Sequence, residues 1–257
     1  MPALPSDRLP AALLWDVDGT LAETELQGHR LAFNRAFAEA GLAWQWDADT
    51  YRSLLAISGG QERMRHYALE VEGAEPDPGW IAALQRAKQG HYRQLVLTGE
   101  LRLRPGVARL LAEAAAAGLV QAIVTTSGRE AVESLLQQLL PELSSQLAFL
   151  VCGEDVTHKK PDPQAYQRAL DSLGLSPDQV LAIEDSPQGL AAASGAGIAT
   201  LVTRSLATAE QPLAAFNAAV SLVTHLGEPH QPSLVLHGPP CPGGVISLAY
   251  LHQLLQP

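Results

Sequence analysis

The chain of 257 residues is 47% hydrophobic and 17% charged, which excludes a disordered protein and leaves room for one large α/β domain or a medium domain carrying an inserted one. Seventeen Lys and Arg against twenty-seven Asp and Glu leave a net charge of −10, so a phosphate-bearing partner must be captured by a local site, and general nucleic-acid binding is disfavoured. Cys152 and Cys241 stand far apart, which excludes a disulfide framework or a structural zinc and fits a reducing compartment.

Met1 to Pro10 lacks the basic start, long apolar stretch and cleavage pattern of a secretory signal, so a cytoplasmic protein is expected. Ala11 to Trp15 is the first of five short apolar runs, each reading as a strand buried on both faces. From about Glu25 to Leu97 the chain reads as helix after helix, too long for one crossover. Leu26 to Ala40 is amphipathic, with Leu31, Ala32, Phe33, Ala36 and Phe37 among polar neighbours, and Gly41 stops it. Further helices are expected near Gln61 to Leu69 and from Gly79 to Leu97. Residues 25–97 thus read as an all-helical insertion, and residues 1–24 with 98–257 as the main domain.

Thr98 to Pro105 returns the chain to that domain, with Pro105 opening a helix over Gly106 to Ala117. The runs Gln121 to Val124, Ala148 to Val151, Val180 to Ile183 and Ala199 to Val202 then alternate with helical stretches at Ala131 to Leu140, Gln164 to Leu173 and Gly189 to Ala193. Strand then helix, repeated, predicts an α/β doubly wound parallel sheet of the Rossmann-like kind. Beyond Thr203, Ser221 to Thr224 is expected as an edge strand, Gly227 to Gly244 as a loop and Val245 to Leu255 as a packing helix. Leu190 to Val202 is short and interrupted by Ser194, Gly195, Gly197 and Thr200, so no membrane span is expected.

The chemistry gathers at strand ends. The first strand runs into Asp16-Val17-Asp18-Gly19-Thr20, and in an open α/β sheet ligands lie beyond the carboxyl ends of the strands. Asp-Gly also signals a hairpin, but a helical pattern follows here. The second strand ends in Thr125-Thr126-Ser127, hydroxyls and backbone donors ahead of a helix, able to hold a phosphate or simply to cap. The third is followed by Lys159-Lys160-Pro161, a lysine to neutralise phosphate or a solvated loop charge. The fourth ends in Glu184-Asp185, adjacent acids able to hold a hard cation or to compensate a helix dipole. Each signal is weak alone; acid pair, hydroxyl, lysine and acid pair at one sheet edge are strong together.

These residues resemble the four motifs of the haloacid dehalogenase superfamily, across the whole sheet domain. The resemblance implies that Asp16 is a nucleophile forming an aspartyl-phosphate, with Mg²⁺ bridging it and the phosphoryl group. It implies that Asp18 protonates the leaving alkoxide and then activates water, its backbone carbonyl ligating the metal. Asp185 would complete the ligands with Glu184 close by, while Thr125 and Lys160 would bind phosphoryl oxygens. The superfamily's carbon–halogen enzymes lack a counterpart of Asp18, since a departing halide needs no proton.

The insertion resembles the four-helix cap of the subfamily containing phosphoglycolate phosphatases, β-phosphoglucomutases and sugar-phosphate phosphatases. Asp16 to Asn34, Ser58 to Tyr67, Gly153 to Pro163 and Leu226-Gly227-Glu228-Pro229 are similar to the xylulose-1,5-bisphosphate phosphatases associated with Rubisco-containing organisms. In that family the positions matching Glu25 and the loop Gly59, Gly60, Gln61 to Arg63 contact sugar hydroxyls and the distal phosphate. Thr126, Ser127 and Arg129 complete the implied substrate set. The family often has lysine where this chain has Gln61, which shifts weight to Arg63, Arg65 or Arg129. His29 and Arg65 read equally well as solvated helix residues, Trp44, Trp46 and Trp80 as core or rim of the insertion, and Cys152 as core.

The implied activity is Mg²⁺-dependent hydrolysis of xylulose 1,5-bisphosphate to xylulose 5-phosphate, clearing a Rubisco inhibitor. The implied partner is a small phosphorylated sugar, with no nucleic acid and no membrane, in a monomer of the bacterial cytoplasm rather than the plastid stroma. A phosphohexose mutase and a phosphoglycolate-type phosphatase share the same motifs. A catalytically idle sugar-phosphate binding protein is the remaining reading, against which Asp16, Asp18, Lys160 and Asp185 weigh.

Overall fold

Each apolar run forms a strand in the computed structural model, which describes residues 9–256: β1 (Ala12–Trp15), β2 (Val120–Val124), β3 (Leu150–Val151), β4 (Val180–Glu184), β5 (Ala199–Thr203) and β6 (Ser221–Val223). The reading of Met1 to Pro10 as leader-free falls, through residue 8, outside the described residues. A further strand, β7 (Val235–His237), lies inside the stretch expected to be loop. It spans three residues between Pro232 and Pro239, too short to show a period, and pairs antiparallel with β6 at the sheet edge. The order β3-β2-β1-β4-β5-β6-β7 is parallel from β3 to β6. It sets β1 at the point where the winding reverses, where the connections after β1, β2 and β4 diverge and leave a crevice.

Side chains alternate across the sheet, and size alternates with them. Leu13, Trp15, Ile123, Leu181 and Ile183 face one layer, built on α5 (Val107–Ala116), α6 (Arg129–Leu139) and α9 (Leu248–Leu254). Ala12, Leu14, Ala122, Val124, Val180 and Ala182 face the other, where α7 (Gln164–Leu173) and α8 (Pro187–Gly195) pack through Ala165, Ala169, Ala192 and Ala193. Small residues on that second face let its helices sit close to the sheet. Cys152 is buried in the first cluster.

The segment between β1 and α5 is helical: α1 (Arg30–Glu39), α2 (Ala48–Leu54), α3 (Gly60–Glu72) and α4 (Pro78–Leu97). A π-helical turn at Glu25–His29 leads into α1. Helix α2 went unread because seven residues carry little periodicity; its signal is Asp47, whose side chain caps it by accepting from Thr50 N. Phe33, Phe37, Trp44, Trp46, Tyr51, Met64, Ile81 and Leu84 form a separate aromatic-rich core, with Trp80 packed at its margin. Helix α4 belongs to two cores, since Ile81 and Leu84 sit in that cluster while Tyr92, Leu95 and Val96 pack under the sheet. The expectation for Pro105 needs correcting. The helix starts at Val107 behind its N-cap Gly106, with φ 87°, whose N–H donates to Glu228 Oε1 at 3.1 Å, and Pro105 lies one residue before that cap.

Arg104 ties the two linkers to the sheet. Its Nε meets Glu23 at 2.9 Å, and its terminal nitrogens donate to the carbonyls of Gly19, Thr203, Arg204 and Thr224 and to Thr203 Oγ1. The Arg104 side chain is 5% exposed, so truncation would strand buried acceptors and the Glu23 carboxylate. Arg104→Met is expected to lower unfolding free energy by about 3–5 kcal/mol, read from the urea midpoint at constant m-value.

Candidate active site

Strand register sets the floor of the site. Trp15 pairs with Ile123 on one side and Ile183 on the other, so Asp16, Val124 and Glu184 leave the sheet abreast. Lys160, from the loop between β3 and α7, reaches all three: Asp16 Oδ1 at 2.8 Å, Glu184 Oε1 at 2.6 Å and the Val124 carbonyl at 2.7 Å. Burial opposes its charge, but the Asp16 and Glu184 carboxylates outweigh that and hold the ammonium above its ordinary pKa. Glu184 also accepts from Tyr166 OH at 2.5 Å and, through Oε2, from Asp185 N at 3.4 Å. Its Oε1 is thereby occupied in fixing Lys160.

Carboxylate oxygens of Asp16, Glu184 and Asp185 lie within 4.8 Å of one another, all buried. Burial, then the charges of Glu184 and Asp18 working against Lys160, push the Asp16 carboxyl up to about 8. Burial and the Asp16 charge raise Asp185 well above the carboxylate range. Three acids facing one ammonium leave negative charge uncompensated, and an all-oxygen cluster of this kind fits a hard divalent cation. Asp16 and Asp185 line the crevice. Gly19 makes the loop possible: at φ 84°, a Cβ there would come within 2.1 Å of Asp185 Oδ2.

Asp18 is held differently. Burial alone would raise its carboxyl, but the electrostatic pull of His29 and hydrogen bonds from His29, Ser127 and Thr24 hold it far below the usual range. His29 Nε2 meets Asp18 Oδ1 at 2.8 Å, Ser127 Oγ donates to Oδ2 and Thr24 Oγ1 to Oδ1. On the far side of the ring, Lys88 Nζ meets His29 Nδ1 at 2.8 Å. An ammonium has no acceptor, so Nδ1 accepts and Nε2 carries the proton facing Asp18. His29 stacks on Tyr92 with ring centroids 4.1 Å apart. Burial lowers Lys88 to about 8.

Above this floor are two hollows. One, of about 180 Å³, is lined by Asp16, Asp18, Thr125, Lys160 and Asp185; the other, of about 270 Å³, by Gly59, Gly60, Gln61, Ser127, Lys88 and Lys159. Glu25, Arg63 and Thr126 line both, making them lobes of one crevice between insertion and sheet. Glu25 Oε2 accepts from Tyr51 OH, which accepts from Arg63 NH1 at 2.9 Å. Gly59, at φ 101°, starts α3 and lies against Lys159, which pairs with Glu62 at 2.5 Å across the crevice. Arg52 of α2 meets Glu210 at 3.2 Å on the opposite rim.

A haloacid dehalogenase-like hydrolase model matches residues 10–197. The chain is 44% identical over 226 residues to plasmid-encoded protein CbbY of Cupriavidus necator, covering 86% of this chain and 87% of that one. The chain belongs to the haloacid dehalogenase-like hydrolases. CbbY of Cereibacter sphaeroides is 40% identical over 217 residues, 84% of this chain and 94% of its own. A crystal structure of a CbbY point mutant from Rhodobacter sphaeroides in complex with xylulose 1,5-bisphosphate matches at TM-score 0.78 and 38% identity, covering 91% of this chain and 99% of that one. These likenesses make the chain a phosphatase of this family.

Within this hydrolase the core residues expected from sequence, Asp16, Asp18, Thr125, Lys160, Glu184 and Asp185, converge, and Glu25, Gly59 to Gln61, Arg63, Thr126 and Ser127 reach the crevice. Two cations considered for the distal phosphate do not. The Arg129 guanidinium turns to Asp155 at 2.6 Å and the Leu150 carbonyl, and the exposed Arg65 pairs with Glu75. His29, as readily a solvated residue by sequence, is buried against Asp18. Lys88 was missed although its signal was present: Ile81, Leu84, Lys88, Tyr92 and Leu95 form the buried stripe of α4, and a lysine on such a stripe needs an internal partner. Among the described residues no helix is long and apolar enough to cross a membrane.

The raised Asp16 and Asp185 pKa values fix a sign. From the ordinary carboxyl pKa near 4 up to about 8 for Asp16, and likewise above the ordinary range for Asp185, the metal-free folded state binds protons that the unfolded chain does not. Their contribution to stability is present in full below that window and is lost as pH rises through it. The melting temperature in EDTA is expected to fall from about pH 5.5 to 8, and the gain from millimolar Mg²⁺ to be larger at the upper pH. A melting temperature independent of pH and cation across this range would contradict the reading.

Proposed function

We propose that this phosphatase hydrolyses xylulose 1,5-bisphosphate to xylulose 5-phosphate and inorganic phosphate, with Mg²⁺, removing an inhibitor of Rubisco in the bacterial cytoplasm as a monomer. The observation that carries the reading is the two-lobed crevice with a cation at either end, Lys160 below and Lys159 above, and Arg63 and Glu25 between. Such a crevice suits a short polyol phosphorylated at both ends, and a relative of known structure binds that compound. Residues 25–97 act as a cap domain on the core formed by 1–24 and 98–257.

In this mechanism an Asp16 oxygen attacks phosphorus in line, the phosphorus–oxygen ester bond breaks, and an aspartyl-phosphate forms. Thr125 and Thr126 hold the phosphoryl oxygens, and Lys160 turns to them the donor that otherwise goes to the Val124 carbonyl. Asp16, Asp185 and the Asp18 carbonyl would hold Mg²⁺, which when bound supplies positive charge against those oxygens. The leaving alkoxide takes a proton from Asp18. That proton reaches Asp18 Oδ1 from His29 Nε2, with Lys88 resupplying His29 at Nδ1. Asp18, ionised again, then takes a proton from water, whose oxygen displaces Asp16 and frees phosphate. Glu184 keeps Lys160 in place throughout.

The test is phosphate release from xylulose 1,5-bisphosphate, ribulose 1,5-bisphosphate, phosphoglycolate and glucose 1-phosphate, each with Mg²⁺ and with EDTA. The first is expected to be preferred, ribulose bisphosphate spared and EDTA to abolish turnover, while Asp16→Asn should reduce turnover at least about 10³-fold. A preference for phosphoglycolate would replace the substrate and keep the mechanism. Glucose 6-phosphate formed from glucose 1-phosphate with a bisphosphate primer would make the protein a mutase.

A further inference from the structure

We infer that Gln85 and Gln89 of α4 read the hydroxyls of the sugar substrate. The inference deepens the sugar-phosphatase reading and rests on it. Gln85, Lys88 and Gln89 are spaced to share one face of α4, and all three line the larger lobe. Lys88 is already committed to His29. The side-chain oxygens of Gln85 and Gln89 are both buried and, among the described residues, have no hydrogen-bond partner. A buried amide oxygen without a donor is costly, and two of them one helical turn apart on one hollow form an acceptor pair awaiting a ligand.

The missing donors define the ligand chemistry. Phosphate oxygens accept hydrogen bonds and cannot satisfy a carbonyl, and the acids on the same lobe, Glu25, Glu62, Glu130 and Glu154, are acceptors too. Neutral O–H groups on a polyol chain satisfy the amides, with each amide NH₂ free to donate back. The two amides also face opposite walls. Gln85 lies at Gly60, where a Cβ would come within 2.8 Å of Oε1, and Gln89 lies at Gly128, where a Cβ would come within 3.3 Å of Nε2. One therefore sits at the start of α3 and the other at the loop after β2, bracketing the span of ligand that leads from the floor toward Lys159.

The experiment compares kcat/KM for xylulose 1,5-bisphosphate with that for acetyl phosphate, which has no hydroxyl, in wild type, Gln85→Met, Gln89→Met and the double variant. The ratio of the two is expected to fall about tenfold for each amide and more in the double variant, chiefly through KM of the sugar. Gln85→Asn and Gln89→Asn, which keep but withdraw the amide, carry the same expectation should a Met variant melt early. A ratio held within about twofold, whether both rates drop together or neither does, overturns the assignment. Failure of the parent reading shows in the wild type alone: a different preferred sugar phosphate takes the place of the bisphosphate in the same ratio, whereas a preference for acetyl phosphate over every sugar overturns both.

Discussion

The site depends on one ammonium group. Lys160 spends its three donors on Asp16, Glu184 and the Val124 carbonyl, joining the ends of β1, β2 and β4 in a single knot. A knot of this kind is costly to bury and strongly destabilising to break, since the loss of either sign leaves the other unpaired in a dry environment. It also leaves the third acid, Asp185, without a cation of its own. The same arrangement therefore holds the sheet ends together and gives the site its appetite for added positive charge.

Asp16 and Asp18, two residues apart, are driven in opposite directions by their surroundings. Burial raises both; Asp16, with one lysine shared with Glu184, stays pushed up, whereas Asp18 collects a histidine and two hydroxyls and is pushed down. Separation of this sort assigns different work to chemically identical side chains. The groups that depress Asp18 come from distant parts of the chain, with Thr24 and His29 from the segment before α1 and Ser127 from the loop after β2. Its protonation behaviour is thus bound to how the two halves meet.

Much of this was legible in the sequence because parallel strands buried on both faces have to be short apolar runs, and because the reactive residues follow them directly. The order of chemistry at four strand ends singles out Asp16, Thr125, Lys160 and Asp185. Elements too short to show a period, α2 and β7, were invisible for the same physical reason. Side-chain direction was beyond reach as well. Arg129 and Arg63 are both cations near the expected phosphate, yet Asp155 draws one away while Tyr51 and the Leu54 and Ile57 carbonyls hold the other at the crevice. Lys88 and His29 were readable in principle, as charged residues on apolar stripes, but only the fold names the partner that makes such burial tolerable.

Helix α4 has a mechanical consequence. One continuous rod is embedded at its first half in the insertion's own core and at its second half beneath the sheet, so separating the halves along that edge would mean unpacking Ile81 and Leu84 or Tyr92 and Leu95. Among the described residues, the ion pairs across the opposite edge are the solvent-accessible Lys159 with Glu62 and Arg52 with Glu210, contacts that ions and water replace at little cost. The molecule is thus built like a book, with a stiff spine on the α4 side and a loose fore-edge where α2 and α3 meet the sheet loops. Opening at the fore-edge breaks exposed ion pairs, whereas opening at the spine breaks buried packing.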